Sequence, residues 1–203
     1  MKSKIRKASV QRKTSETDIS VTLAIGGNGK AAVDTGIPFL DHMLTLLAKH
    51  SLMNLAVKAK GDLGVDIHHT NEDVGITLGE ALTKALGNKA GIRRYGFFSV
   101  PMDEAMARVT LDISGRPSLH VTHTKEVFAA VRSASGKYTF HDASEFLKAL
   151  TQHAGINMHL EVLAGEDAHH ILEAIFKALA KALDMATQID PRMQGVPSTK
   201  GRL

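Results

Sequence analysis

A seven-residue pattern, Asp-x-His-His-x-x-Glu, occurs twice in this chain, as Asp66, His68, His69, Glu72 and again as Asp167, His169, His170, Glu173. A duplicated signature constrains the fold first, because it demands two copies of the local structure that carries it. Each copy opens a stretch of helical periodicity, so a His and the Glu one turn later share a helix face and their side chains converge. Imidazole and carboxylate together suit a divalent transition metal. Neighbouring residues on a helix diverge by roughly 100°, so His68 and His69 do not easily serve one ion, and two ions per pair of repeats is the natural reading. One His from each motif, a Glu and a His from elsewhere would complete each site, with open positions left for a substrate. Paired His residues also cap helices, but duplication of the pair together with its Glu favours the metal.

The segments around the motif repeat as well. Ile19, Val21, Leu23 and Ile25 alternate on one face, and Gly26-Gly27-Asn28-Gly29 turns the chain toward Ala31–Asp34, a pattern that predicts a β-hairpin. The Gly cluster lacks the spacing of a phosphate loop, so a turn is its expected use. A helix over 39–50, a strand over 52–60 and a helix over 70–86 follow. From Gly91 the order restarts, with Val109, Leu111 and Ile113, then Leu119 and Val121, alternating around Ser114-Gly115-Arg116-Pro117. A helix over 146–153, a strand over 156–163 and a long helix over 169–186 complete the second copy. That last helix carries Leu172, Ile175, Phe176, Leu179 and Leu183 as its apolar stripe. His50-Ser-Leu-Met-Asn-Leu matches His153-Ala-Gly-Ile-Asn-Met, which makes this one unit used twice. The expected fold is α+β, an internal duplication of a ββαβα-like unit in mixed sheets with helices on one face. No linker or composition break falls near residue 90, so residues 1–203 read as a single structural domain. Its pseudo-repeats run over about 10–90 and 91–190, with a tail at 191–203.

Composition narrows the function. At 203 residues and 43% hydrophobic content the chain can bury one good core or two small, intimately packed ones. Net charge is +4 with a pI near 9.3, but two Tyr and no Trp offer few platforms for stacking bases, so a small anionic substrate is preferred to nucleic acid. The absence of Cys excludes disulfides and thiolate chemistry, which leaves N and O ligands, and eleven His supply the former. No run is long enough to span a bilayer. The basic start at 1–13 lacks the apolar stretch of a secretory signal; a cytoplasmic protein is expected, with a transit segment the open alternative.

Several further motifs are individually specific: Phe39-Leu-Asp-His-Met, His68-His-Thr-Asn-Glu-Asp-Val-Gly-Ile, Gly91-Ile-Arg-Arg-Tyr-Gly, Pro101-Met-Asp-Glu-Ala, Ser114-Gly-Arg-Pro and Pro197-Ser-Thr-Lys-Gly. In this order and spacing, from about Lys13 to the C-terminus, the chain resembles the imidazoleglycerol-phosphate dehydratases of histidine biosynthesis. The resemblance implies two repeats similar to the second domain of ribosomal protein S5, two manganese ions per active site, and a large octahedral homo-oligomer with active sites between subunits. It also implies the single-activity form, without the phosphatase domain fused ahead of some relatives.

Carried over by position, the resemblance makes His42, His68, His69, Glu72, His169, His170 and Glu173 the metal ligands and catalytic groups. A further ligand stays open between Glu145, where the family often places a His, and His141. By itself, Asp142-Ala-Ser-Glu145 reads as a helix cap with a reciprocal Glu. Arg94, Arg116, Ser198 and Lys200 fall where the family binds substrate phosphate, Glu16 falls on a substrate-contacting carboxylate with an acid–base role, and the tail becomes a substrate-closing segment. The implied reaction dehydrates D-erythro-imidazole glycerol phosphate to imidazole acetol phosphate. The proton lost has no carbonyl beside it to make it acidic, so the ring must accept electrons; two manganese ions on its nitrogens, holding it as imidazolate, would allow that. Two other functions use overlapping residues: a dinuclear phosphate-ester hydrolase, and a non-enzymatic metal-binding scaffold with no use for the Arg and Lys groups.

Overall fold

The computed structural model describes residues 5–133 and 138–203; the first four residues of the expected domain and 134–137 lie outside the described part. The first repeat comprises β1 (Arg6–Lys13), β2 (Thr17–Ile25), β3 (Ala31–Asp34), α1 (Pro38–Ser51), β4 (Asn54–Gly61) and α2 (His68–Leu86). The second comprises β5 (Tyr95–Met102), β6 (Ala105–Asp112), β7 (Ser118–His123), α3 (Lys125–Ser133), α4 (Phe140–Ala154), β8 (Asn157–Ala164) and α5 (Ala168–Thr187). Each repeat thus has one strand more than its periodicity reveals. β1 escapes detection because it is an edge strand with Val10 alone fully buried.

The two four-stranded sheets have matching order, β1-β2-β4-β3 and β5-β6-β8-β7. In each, the first three strands are antiparallel and the last is parallel to its neighbour, so both sheets are mixed. The expected hairpin between β2 and β3 does not form; β4 lies between them. Its glycine turn is instead held by β4. The Asn54 side-chain oxygen accepts the N–H groups of Asn28 at 2.9 Å and Lys30 at 3.0 Å, and a Cβ on Gly27 would collide with that same side chain. β7 likewise leaves β6 and pairs with β8, its approach set by the Gly115 N–H donating to the Gly155 carbonyl at 2.8 Å. Parallel neighbours need a crossover, and α1 supplies it in the first repeat.

The expected faces hold. Ile19, Val21, Leu23 and Ile25 of β2 are buried, as are Val109 and Leu111 of β6 and the whole α5 stripe. The helices cover one face of each sheet and meet in the middle, α2 against α4 and α1 against α5. Phe146 of α4 and Phe176 of α5 meet in this layer with ring centroids 5.6 Å apart. Among the described residues no helix is long and apolar enough to cross a membrane.

α2 approaches α4 closely because Gly75 and Gly79, one turn apart, face it. A Cβ at Gly79 would lie 2.8 Å from the Leu150 carbonyl oxygen and 2.9 Å from the Ala154 nitrogen. Helix propensity alone makes Gly79→Ala stabilising by ~1 kcal/mol. The collision with backbone reverses the sign, and a net loss of about 1–3 kcal/mol is expected, read as a lower denaturation midpoint.

Candidate metal centre

Both motif helices are started by the aspartate of the motif. Asp66 accepts the His68 N–H at 2.8 Å, and Asp167, the N-cap of α5, accepts those of His169 at 2.7 Å and His170 at 3.1 Å. An aspartate here satisfies free N–H groups of the first turn, so the histidines are not needed as caps. Their rings diverge as helix geometry requires, with centroids 6.0 Å apart in the first motif and 6.2 Å in the second.

The contact of α1 with α5 brings His42 to the second motif. His42 Nε2 lies 2.9 Å and His169 Nε2 3.1 Å from the same oxygen, Oε1 of Glu173. These three are the one group of His, Asp or Glu ligands among the described residues whose ligand atoms all lie within 4.8 Å of one another. Glu173 is 7% exposed, whereas the side chains of His42 and His169 are 45% and 52% exposed, so the trio is anchored inside and open outside. Phe39 meets the His169 ring edge-on at 5.1 Å and stacks on Tyr138 at 5.2 Å, which restricts how that ring can turn. Burial pushes the Glu173 carboxyl up, but hydrogen bonds from Lys177, His42 and His169 outweigh it and hold it at about 2. Lys177 Nζ donates to the other oxygen, Oε2, at 2.6 Å. Glu173 is therefore a carboxylate with one oxygen engaged by a cation and one turned to two imidazoles, a donor set that fits Mn²⁺ or a similar ion.

The first motif is arranged differently. His68 Nε2 and Glu72 Oε2 are 3.6 Å apart on α2. His69 turns away and bonds Asp62 Oδ2 through Nδ1 at 3.0 Å, with Glu16 Oε2 3.8 Å from the same nitrogen. In the second motif His170 bonds Glu104 Oε2 through Nδ1 at 2.8 Å. These bonds raise both imidazoles above their ordinary value. Glu104 also accepts the N–H groups of Asp167 at 2.9 Å and Glu166 at 3.2 Å; those bonds and His170 hold its carboxyl at about 2. Glu16 sits in the turn before β2, which Asp73 of α2 fastens by accepting from Arg12 at 2.7 Å and Thr17 at 2.6 Å.

Glu145 is not a cap partner, contrary to the expectation: α4 starts earlier, with Thr139 as N-cap and Asp142 as its reciprocal acid. Glu145 then lies one turn inside the helix, 3.4 Å from Lys148, and His141 is exposed in the first turn. The repeat alignment that pairs His50 with His153 also pairs His42 with Glu145.

At the other end of the second sheet, the C-terminal tail runs beside residues 91–94, with the Gly91 N–H on the Gly195 carbonyl at 2.7 Å. Arg94 forks onto Asp112 at 2.6 and 2.9 Å and donates its third nitrogen to the Pro197 carbonyl at 2.8 Å. Leu203 reaches Gly115, where an added Cβ would touch it. The segments bearing Arg94, Arg116, Ser198 and Lys200 are thus gathered, but Arg94 is already engaged by Asp112 and the tail. Among the described residues Arg192 pairs only with Asp190, at 2.6 and 2.8 Å. Asp62, Glu104 and Lys177 were not anticipated from sequence. Lys177 had a signal, one helical turn beyond Glu173; Asp62 is near His69 in sequence but in an irregular loop with no spacing rule, and Glu104 meets His170 only through folding. Arg94→Ala removes bonds worth ~1.5–3 kcal/mol to a charged donor, so tryptic cleavage at Arg192 is expected to accelerate about tenfold or more.

A family model described as imidazoleglycerol-phosphate dehydratase matches residues 35–183. Proteins of that name from Geobacter metallireducens and Thermoanaerobacter pseudethanolicus are 52% and 53% identical to this chain over 98% of its length and 99% and 100% of theirs. The crystal structure of imidazoleglycerol-phosphate dehydratase from Staphylococcus aureus superposes with a TM-score of 0.77 at 34% identity, covering 91% of this chain and 99% of that one. The structure from Pyrococcus furiosus, in complex with (S)-C348, does so with 0.81 at 37% identity, covering 96% and 100%. On sequence and on fold, the chain belongs to the imidazoleglycerol-phosphate dehydratase family.

Proposed function

We propose that this chain is a hydro-lyase of histidine biosynthesis that dehydrates D-erythro-imidazole glycerol phosphate to imidazole acetol phosphate. The observation that carries this reading is the His42, His169 and Glu173 trio, built by contact between the two repeats in a chain of this family. His42, His169 and Glu173 would hold one ion; His68 and Glu72, with Glu145 in the place on α4 that His42 occupies on α1, would contribute to the other. His69 and His170 complete the ligand set. Two manganese ions bound there would supply Lewis acidity at the substrate's ring nitrogens, so that the ring carries charge as imidazolate.

The protein's own groups do the rest. Glu16, with its side chain 51% exposed beside His69, is the acid–base residue: as the hydroxyl leaves the carbon attached to the ring, it takes the proton from the neighbouring hydroxyl-bearing carbon, and the enol so formed is reprotonated on the ring-attached carbon to give the ketone. Arg116, Ser198 and Lys200 bind the phosphate, and Arg94 joins them while holding the tail at 191–203 that closes over the substrate. The open outer side of the trio, and the exposed Tyr95 and Phe97 on β5, support assembly into a large octahedral homo-oligomer with active sites between subunits. The cross-packed helices support one structural domain over 1–203, with pseudo-repeats at about 10–90 and 91–190. We place it in the cytoplasm, with a small-molecule substrate and neither nucleic acid nor membrane as partner.

Protein stripped with chelator, reloaded with Mn²⁺ and given imidazole glycerol phosphate should form a product one water lighter, and only when metal is restored. Release of free phosphate would mean a hydrolase instead, and bound metal without turnover a scaffold. Glu16→Gln should keep its metal and lose about 10²-fold or more in kcat; near-normal turnover would remove Glu16 from the acid–base role.

A further inference from the structure

The two repeats place a carboxylate at the same point of the fold. Glu16 immediately precedes β2, Glu104 immediately precedes β6, and these strands occupy the same place in their sheets. Each carboxylate faces the second His of its motif, yet the distances differ: Glu104 bonds His170 at 2.8 Å, whereas Glu16 stands 3.8 Å from His69. In the first repeat the bond is taken by Asp62, which follows Gly61 at the end of β4. The stretch between the end of β4 at Gly61 and His68 is two residues longer than that between the end of β8 at Ala164 and His169. Asp62 lies in that longer loop, and its side chain has no other hydrogen bond among the described residues.

We propose that Asp62 and Glu104 are positioning residues that hold His69 and His170 with Nε2 turned outward as the metal-ligating atom, and that Asp62, by taking this place in the first repeat, leaves Glu16 free for chemistry. The inference rests on the metal-binding reading given above. A carboxylate accepts only, so each imidazole donates Nδ1–H to it and keeps its lone pair on Nε2. A carboxylate on the far nitrogen also fixes the ring plane and strengthens the ligand's basicity. Among the described residues the hydrogen bond and ion pairs of His69 run through Nδ1, and His170 Nε2 has only the Asp103 carboxylate at 3.7 Å, beyond hydrogen-bond reach.

The test is Mn²⁺ titration of the stripped, full-length protein, followed by the electron paramagnetic resonance signal of free Mn²⁺. Asp62→Ala and Glu104→Ala should each weaken binding of an ion ~10–100-fold, with the number of ions per chain unchanged at saturation. Asp62→Asn and Glu104→Gln retain an acceptor oxygen and should recover most of that loss, which general loosening would not allow. Glu104→Ala also frees the N–H groups of Glu166 and Asp167. Asp62→Ala breaks no such bond, so it carries the test should the first variant fray α5. His170→Ala, which deletes the ligand itself, separates the failures. Wild-type affinity in both alanine variants while His170→Ala loses an ion would overturn the positioning roles alone. Wild-type binding by His170→Ala would overturn these roles and the ligand assignment together.

Discussion

The helices of neither repeat are covered by their own repeat. Those of the first lie on one face of sheet β1-β2-β4-β3, those of the second on one face of β5-β6-β8-β7, and each set has a second apolar side that only the other repeat can cover. The solution is crossed: α1 rests on α5 and α2 on α4, with Gly75 and Gly79 allowing α2 to approach the backbone of α4. Hydrophobic burial drives that arrangement, and the geometry of the candidate metal centre follows from it. His42 comes from one repeat and His169 and Glu173 from the other, so the trio exists only because the repeats interlock.

Glu173 is the electrostatic centre of that interface. A carboxylate this buried would ordinarily be neutralised, since removing its charge from water is costly. Here Lys177 one turn along the helix and the imidazoles of His42 and His169 keep it ionised. The arrangement gives its two oxygens separate tasks, one held by an ammonium and one presented to the ligand nitrogens. Phe39 and Tyr138 add apolar walls, so the trio is oriented before any ligand arrives.

The repeats share their architecture and differ in the details that chemistry uses. Asp66 and Asp167 both accept the N–H of the first motif histidine, whereas the hairpin-tip carboxylates Glu16 and Glu104 stand at different distances from equivalent histidines. Duplication supplies two similar half-sites; a two-residue difference in one loop is enough to distinguish them. The tail adds a third asymmetry, because only the second repeat has a C-terminal segment to fasten through Arg94.

Local periodicity made much of this legible. The apolar alternation of β2 and β6, the stripe of α5, the repeat itself and the one-turn spacing of His169 and Glu173 are all properties of short segments, because side-chain direction in a helix or strand follows from chain geometry. The edge strand β1 has no such pattern, since an edge buries little. Strand partners were not legible either: β2 and β3 looked like a hairpin, but pairing is decided by what else can bond the backbone, and Asn54 draws the glycine turn to β4. The same limit applies to the site. The sequence by itself determined which residues are candidate ligands and on which helices they lie. Only the tertiary structure decided that His42 joins His169 and Glu173, and that Asp62 and Glu104 orient His69 and His170. The His42–Glu173 and His170–Glu104 contacts span long separations in the chain and exist only once the apolar helix and strand faces have been buried against one another, while the Asp62–His69 bond, seven residues apart, depends on how the irregular loop after β4 folds back.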